Sequence, residues 1–294
     1  MKLGREYPLN FSEIESLFTM ELKDISKLLI NSKSIILYDT NCFGFHAKKF
    51  TEKYYAFDFF NKDDIVIFLE PVIREINYKD TNEIPTWYLD YFIELKNKVK
   101  ALIYIDERDY MDLLRIGKPS LNNIEIRLKN AFFNAFKDNV ELRTEINQLN
   151  IKDKNFYKDL IDIANRDLNK KNRGEIALFI AVQVLCSLKE MTNYKIFSDD
   201  YAAYPYMSEL TGILQNLSPK ANIAYISTIR NIQELTRNFS LDYEQVIEYL
   251  NNIKRYTELK IYFREILYDT IRHVSKSNEN LAKDLVAKKI EILF

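Results

Sequence analysis

The chain is short of glycine, histidine and cysteine, and each shortage removes a class of function. Five glycines in 294 residues leave no glycine-rich phosphate loop and no dinucleotide fingerprint. Two histidines, His46 and His273, are too few for a zinc site or a His-dependent triad, so both read as ordinary surface or packed residues. The two cysteines, Cys42 and Cys186, have no metal-ligand spacing and make no disulfide framework, which fits a reducing cytosol. Cys42 stands close to Asp39 in the sequence but reads as a packing residue rather than a nucleophile.

An excess of either charge is also missing. Lys and Arg number 42 against 43 for Asp and Glu, so no whole-chain field draws in nucleic acid or an anionic membrane, and any such attraction is local. The longest apolar run, Ile176 to Cys186 broken by Gln183, is far shorter than the roughly 20 residues of a membrane span. Lys2 and Arg5 are followed by no apolar run of the kind a signal peptide has. The expectation is a cytoplasmic protein without membrane contact. Tyr (20) and Phe (19) are abundant, but Ile, Asn and Lys are as well, so the aromatics carry little weight as base-stacking residues.

What is present is a series of short apolar runs that end in carboxylates. Ile35 to Tyr38 stops at Asp39, Ile65 to Leu69 at Glu70, and Tyr194 to Phe197 at Ser198, Asp199 and Asp200. Continuous β-branched runs of this length suit parallel strands buried on both faces. Ile223 to Ile226 supplies a fourth candidate strand and Ala101 to Ile105 a weaker one. Helical spacing predicts an N-terminal helix or helix pair behind a Ser12/Glu15 capping box, then helices at His46–Phe60, from Pro71, Trp87–Lys98, Leu121–Leu149, Phe156–Leu168, Gly174–Glu190 and Tyr204–Leu214. Thr228–Phe239, Leu241–Tyr256, Ile261–Val274 and Asn280–Ile292 read as four further helices. The organisation predicted is an N-terminal helical segment over 1–32, an α/β domain over 33–240 with a helical insertion at about 77–172, and a C-terminal helical segment over 241–294.

In a parallel sheet every strand end points to one edge, so Asp39, Glu70 or Glu75, Glu175 at a helix start, and Asp199 or Asp200 can converge there. Two like charges about 4 Å apart repel by roughly 4 kcal/mol at an effective dielectric near 20, so such a cluster calls for bound cations or shifted pKa values. All-oxygen sites suit Mg²⁺ or Mn²⁺, and a metal pair can activate water for phosphodiester cleavage. Taken singly the residues have plainer readings. Asp39 caps a helix, Glu75 is solvated, and Glu175 complements a helix dipole.

The motifs D-T-N at Asp39 to Asn41, P-V-I-R-E at Pro71 to Glu75, G-E-I-A-L at Gly174 to Leu178 and S-D-D at Ser198 to Asp200 resemble those of the PIN-domain nucleases, over about residues 33 to 76 and 172 to 240. The resemblance implies a PIN-like three-layer α/β fold with a short, mainly parallel sheet, extended here by the insertion and the terminal helices. It implies that Asp39, Glu75, Glu175 and Asp200 are catalytic and, with Asp199 as a second candidate in S-D-D, hold Mg²⁺ or Mn²⁺, while Thr40, Asn41 and Ser198 support the site. Lys170, Lys171 and Arg173, just before Glu175, are placed to contact backbone phosphates, although a solvated helix face explains them as well. The function expected is a metal-dependent endonuclease acting on RNA in preference to DNA, in a toxin or defence role and with a regulatory protein partner. Self-association through the helical segments is a further expectation. The alternatives are a catalytically silent interaction module and a DNA nuclease. The chain departs from a minimal PIN domain in being about twice its size and in the long spacing between its second and third motifs.

Overall fold

The structure, a computed structural model, describes residues 7–51, 56–76, 81–117, 124–166, 173–188, 192–200, 204–252 and 258–294. Its strands are β1 (Phe18–Thr19), β2 (Ser34–Tyr38), β3 (Ile65–Leu69), β4 (Ala101–Ile105), β5 (Asn193–Phe197), β6 (Asn222–Ile226), β7 (Glu258–Glu265), β8 (Thr270–Ser277) and β9 (Ile290–Ile292). The helices are α1 (Ser12–Glu15), α2 (Leu22–Ile30), α3 (Thr40–Thr51), α4 (Glu70–Glu75), α5 (Thr86–Lys98), α6 (Tyr110–Gly117) and α7 (Ile124–Ala135). They continue with α8 (Val140–Gln148), α9 (Phe156–Arg166), α10 (Arg173–Leu188), α11 (Tyr204–Leu217), α12 (Thr228–Phe239), α13 (Tyr243–Asn252) and α14 (Asn278–Val286).

Six strands form one sheet in the order β1-β4-β3-β2-β5-β6, and every neighbouring pair is parallel. Every residue of β3 and β4 is buried, the signature of a parallel sheet covered on both faces, and the architecture is consistent with a three-layer α/β fold. From β2 the chain moves outward to β3 and β4 on one side, then returns to place β5 and β6 on the other. The winding therefore reverses between β2 and β5, and in open α/β sheets that is where a crevice opens at the carboxyl ends of the strands. Beneath it the rings of Tyr38, Phe43, Phe68 and Phe92 pack with centroids 4.8 to 5.7 Å apart.

The sequence expectations need four corrections. Ser12 does not cap: the residue before the helix is Phe11, in helical conformation, and no side chain caps that end. The N-terminal segment is not all helical, because β1 pairs with β4 at the sheet's edge. Nor is 77–172 a helical insertion beside the sheet, since β4 pairs with β3 from Ala101 to Ile105 and is integral to it. Finally, Ile261–Val274 is not a helix. It lies in an antiparallel hairpin of β7 and β8, joined by β9 into a second sheet ordered β8-β7-β9. In E-L-K-I-Y-F-R-E the buried residues Ile261 and Phe263 alternate with partly exposed ones, a period of two rather than 3.6.

Candidate functional site

At the carboxyl ends of β2 and β5, where the winding reverses, the first residues past each strand come together. The Asp39 backbone N–H extends the ladder to the Phe197 carbonyl at 2.9 Å, and the Asp39 carbonyl accepts from Phe43 N–H at 2.9 Å to start α3. This double backbone role fixes Asp39, whose residue is 2% exposed. Its Oδ2 accepts from Ser198 Oγ at 2.9 Å. The same Ser198 oxygen accepts from the Asp200 N–H at 3.2 Å, so one hydroxyl ties the end of β5 to the end of β2. Thr40, the first residue of α3, donates from Oγ1 to Glu75 Oε2 at 2.7 Å. That contact brings the last residue of α4 to the same place.

Gly174, in the first turn of α10, explains how the two carboxylates share that space. A Cβ built on Gly174 would lie 3.4 Å from Asp39 Oδ1 and 3.9 Å from Glu75 Oε2. Both oxygens therefore border a hollow that any other residue at 174 would fill. Hard oxygen donors around such a hollow are the chemistry that suits a divalent cation such as Mg²⁺ or Mn²⁺, and the residues present fit one.

Of the residues singled out by sequence, the structure thus brings together Asp39, Thr40, Glu75 and Ser198, with Asp200 joined through its backbone. Asn41 lies exposed on the first turn of α3. Glu175 follows Gly174 in α10, but its side chain lies outside the described residues. So do Lys170, Lys171 and the side chain of Arg173.

Asp199 belongs to a different cluster. Its Oδ1 accepts from Thr228 N–H at 2.8 Å and its Oδ2 from Thr228 Oγ1 at 2.6 Å, at the start of α12. Since the Thr228 hydroxyl proton is given to Asp199, the 3.0 Å contact of His46 Nε2 to Thr228 Oγ1 is an N–H donated by the imidazole. His46 Nδ1 then accepts from the Tyr38 hydroxyl, which lies 3.1 Å from that of Tyr91. The ligand atoms of Cys42, His46 and Asp199 all lie within 4.8 Å of one another, and composition alone would suggest a metal site. The space among them is taken by the Thr228 hydroxyl, which is also 3.8 Å from Cys42 Sγ. Burial lowers the pKa of His46 to about 3, and burial, reinforced by the charge of Asp199, pushes the Cys42 thiol well up. Imidazole and thiol are both neutral, and the cluster is a hydrogen-bonded tie between α3, the end of β5 and α12.

A third acidic group was legible in A-L-I-Y-I-D but lay in the segment read as a helical insertion. Asp106 follows β4 and shares a side-chain hydrogen bond with Glu70, which follows β3. Burial and the charge of Asp106 raise the pKa of Glu70. Burial acts on Asp106 in the same sense but is outweighed by Arg108, which donates from its backbone N–H (2.8 Å) and from Nε (2.9 and 3.0 Å) and holds Asp106 low. Glu70 is also paired with Arg74 through Nε at 2.8 Å.

Among the described residues, no helix is long and apolar enough to cross a membrane. No family model, curated protein or solved structure matches the chain.

Proposed function

We propose that the chain is a PIN-like, Mg²⁺- or Mn²⁺-dependent nuclease that hydrolyses phosphodiester bonds, in RNA in preference to DNA. The observation that carries the reading is the hollow at Gly174, bordered by Asp39 and Glu75 at the point where the winding of the parallel sheet reverses. Asp39 and Glu75 would hold the cation, with Glu175 and Asp200 completing the acidic set that the motif resemblance implies. When bound, the cation supplies a lowered pKa to water and neutralises charge on the scissile phosphate. Asp39 Oδ2 accepts from Ser198 and Glu75 Oε2 from Thr40, and Asp39 Oδ1 and Glu75 Oε2 are the oxygens nearest Gly174. In the reaction water forms a bond to phosphorus, the P–O bond to the leaving oxygen breaks, and that oxygen takes up a proton.

The preference for RNA, a toxin or defence role in the cytoplasm and restraint by a protein partner follow from the resemblance. Lys170, Lys171 and Arg173 are the phosphate contacts assigned on the same reading. The test is digestion of labelled single-stranded RNA and DNA by the purified full chain in Mn²⁺, with and without chelator. RNA cleavage that stops with chelator and falls at least about 100-fold in Asp39→Asn, roughly 2.7 kcal/mol of barrier, is the expected result. Intact RNA and DNA after incubation with Mn²⁺, together with a melting temperature that Mn²⁺ does not move, would overturn it.

A further inference from the structure

We propose that the chain pairs with a second copy of itself through the open edge of β8, joining two three-stranded sheets into one of six strands. β8 is the outer strand of the β8-β7-β9 sheet, and no described strand pairs with its far side. It is eight residues long and in unbroken register with β7, from Glu258 opposite Ser277 to Glu265 opposite Thr270. It has no bulge and no proline to blunt it.

Monomeric proteins protect such edges with unneutralised charge, bulges or prolines. Here the two cations of β8 are each partnered within the chain, which weakens that protection without removing their charge. Arg272 is paired with Glu265 at 2.8 Å, and Lys276 with Asp284 at 2.6 Å while also lying over the Phe263 ring. Two apolar residues of the strand are open to solvent, one on each face. Ile271 is 60% exposed and Val274 41%, and the adjoining turn bares Ile266, Leu267 and Tyr268.

The charge pattern of β8 admits its own copy as the occupant in one register. When a strand meets its copy antiparallel about a two-fold axis normal to the sheet, opposite residues share a face and the axis passes through a residue position. An axis at Arg272 sets that arginine against its counterpart, and one at Val274 sets Arg272 against Lys276. An axis at His273 sets Arg272 against Val274, Ile271 against Ser275 and Thr270 against Lys276. That register alone places no like charges directly opposite, where they are destabilising, while using nearly the whole strand. It also brings the two Val274 side chains diagonal to each other and lays each Leu267–Tyr268 turn against the first residues of the other copy's α14. Strand pairing of this extent falls at the small end of specific interfaces, and a Kd of roughly micromolar is expected.

Light scattering on the full chain between about 1 and 200 µM tests this. A mass rising with concentration from 35.0 kDa toward twice that value is expected. Val274→Lys, which sets a lysine against Arg272, should hold the chain monomeric, and Arg272→Glu with Val274→Lys should restore the pair. His273→Cys should form an intermolecular disulfide under mild oxidation, because the axis sets 273 against 273, whereas Thr270→Cys should not. The native Cys42 and Cys186 are buried and do not compete. A monomer throughout that range, or equal crosslinking of the two cysteine variants, would overturn the proposal. Neither readout depends on nuclease activity.

Discussion

Asp39 and Asp199 follow the ends of adjacent strands and lie in clusters of similar composition, yet the two clusters differ in what occupies their middle. Around Asp199, Cys42 and His46 the centre is a hydroxyl, Thr228 Oγ1, and both carboxylate oxygens of Asp199 take their protons from Thr228. Around Asp39 and Glu75 the centre is the missing side chain of Gly174. Proximity of acidic residues therefore says little by itself. A cluster closed on a hydroxyl is a structural tie, and a cluster that borders a hollow can admit a cation.

The comparison breaks first at Thr228. Thr228→Val removes the hydroxyl donor of Asp199 and the acceptor of the His46 N–H, leaving the buried His46 and the partly buried Asp199 each short of one partner, so a loss of about 1–3 kcal/mol is expected in urea unfolding. Thr228→Ser should recover most of it. A loss near zero would mean that this cluster is not a tie.

Next comes the slope of stability with pH. His46 has its pKa lowered to about 3 by burial against an ordinary value near 6.5. Its stabilising share is complete above the ordinary value. As pH falls below that, the unfolded chain takes up a proton that the fold refuses, and stability is lost at about 1.4 kcal/mol per pH unit until pH nears 3. His46→Gln should remove this slope between pH 6.5 and 4.5, measured from urea midpoints.

Gly174→Ala sharpens the other half. The new methyl has room at ordinary van der Waals distance, and glycine within a helix costs roughly 0.5–1 kcal/mol relative to alanine. The melting temperature should rise while the response to Mn²⁺ and any cleavage fall. A variant that is more stable and keeps its full Mn²⁺ response would separate Asp39 and Glu75 from cation binding.

The smallest effect is expected at Glu70, whose raised pKa makes its contribution complete below the ordinary carboxylate range and lost as pH rises through the raised value. Asp106, held low, acts in the opposite sense, contributing above the ordinary range and failing as pH falls. Glu70→Gln keeps an N–H donor to Asp106 at every pH, so thermal melts should favour the variant at pH 8 more than at pH 5.

Much of the sheet was legible because its strands are uninterrupted apolar runs. I-V-I-F-L is β3 to the residue, and I-I-L-Y lacks only Ser34 of β2. Asp39, Glu75, Thr40 and Ser198 were legible for the same reason, since each sits at a strand end or on the helix that follows one. The choice between Asp199 and Asp200 was not, because it depends on Thr228, 29 positions away. Asp106 ends an apolar run as Asp39 does, but the helical spacing on both sides of Ala101–Ile105 masks that strand. The C-terminal hairpin escaped because its buried residues are few and its outer strand is nearly all exposed, so neither period dominates the apolar pattern.

The bond between Ser198 and Asp39 spans 159 positions of sequence. At a synthesis rate of about 5–20 residues per second, Asp39 leaves the ribosome roughly 8 to 30 s before its partner. In that interval β2 can pair with β3 but not with β5. Ribosome and emerging chain thus share a period in which the carboxylates exist and the crevice between β2 and β5 does not. On the nuclease reading, the site is incomplete until Ser198 has been made.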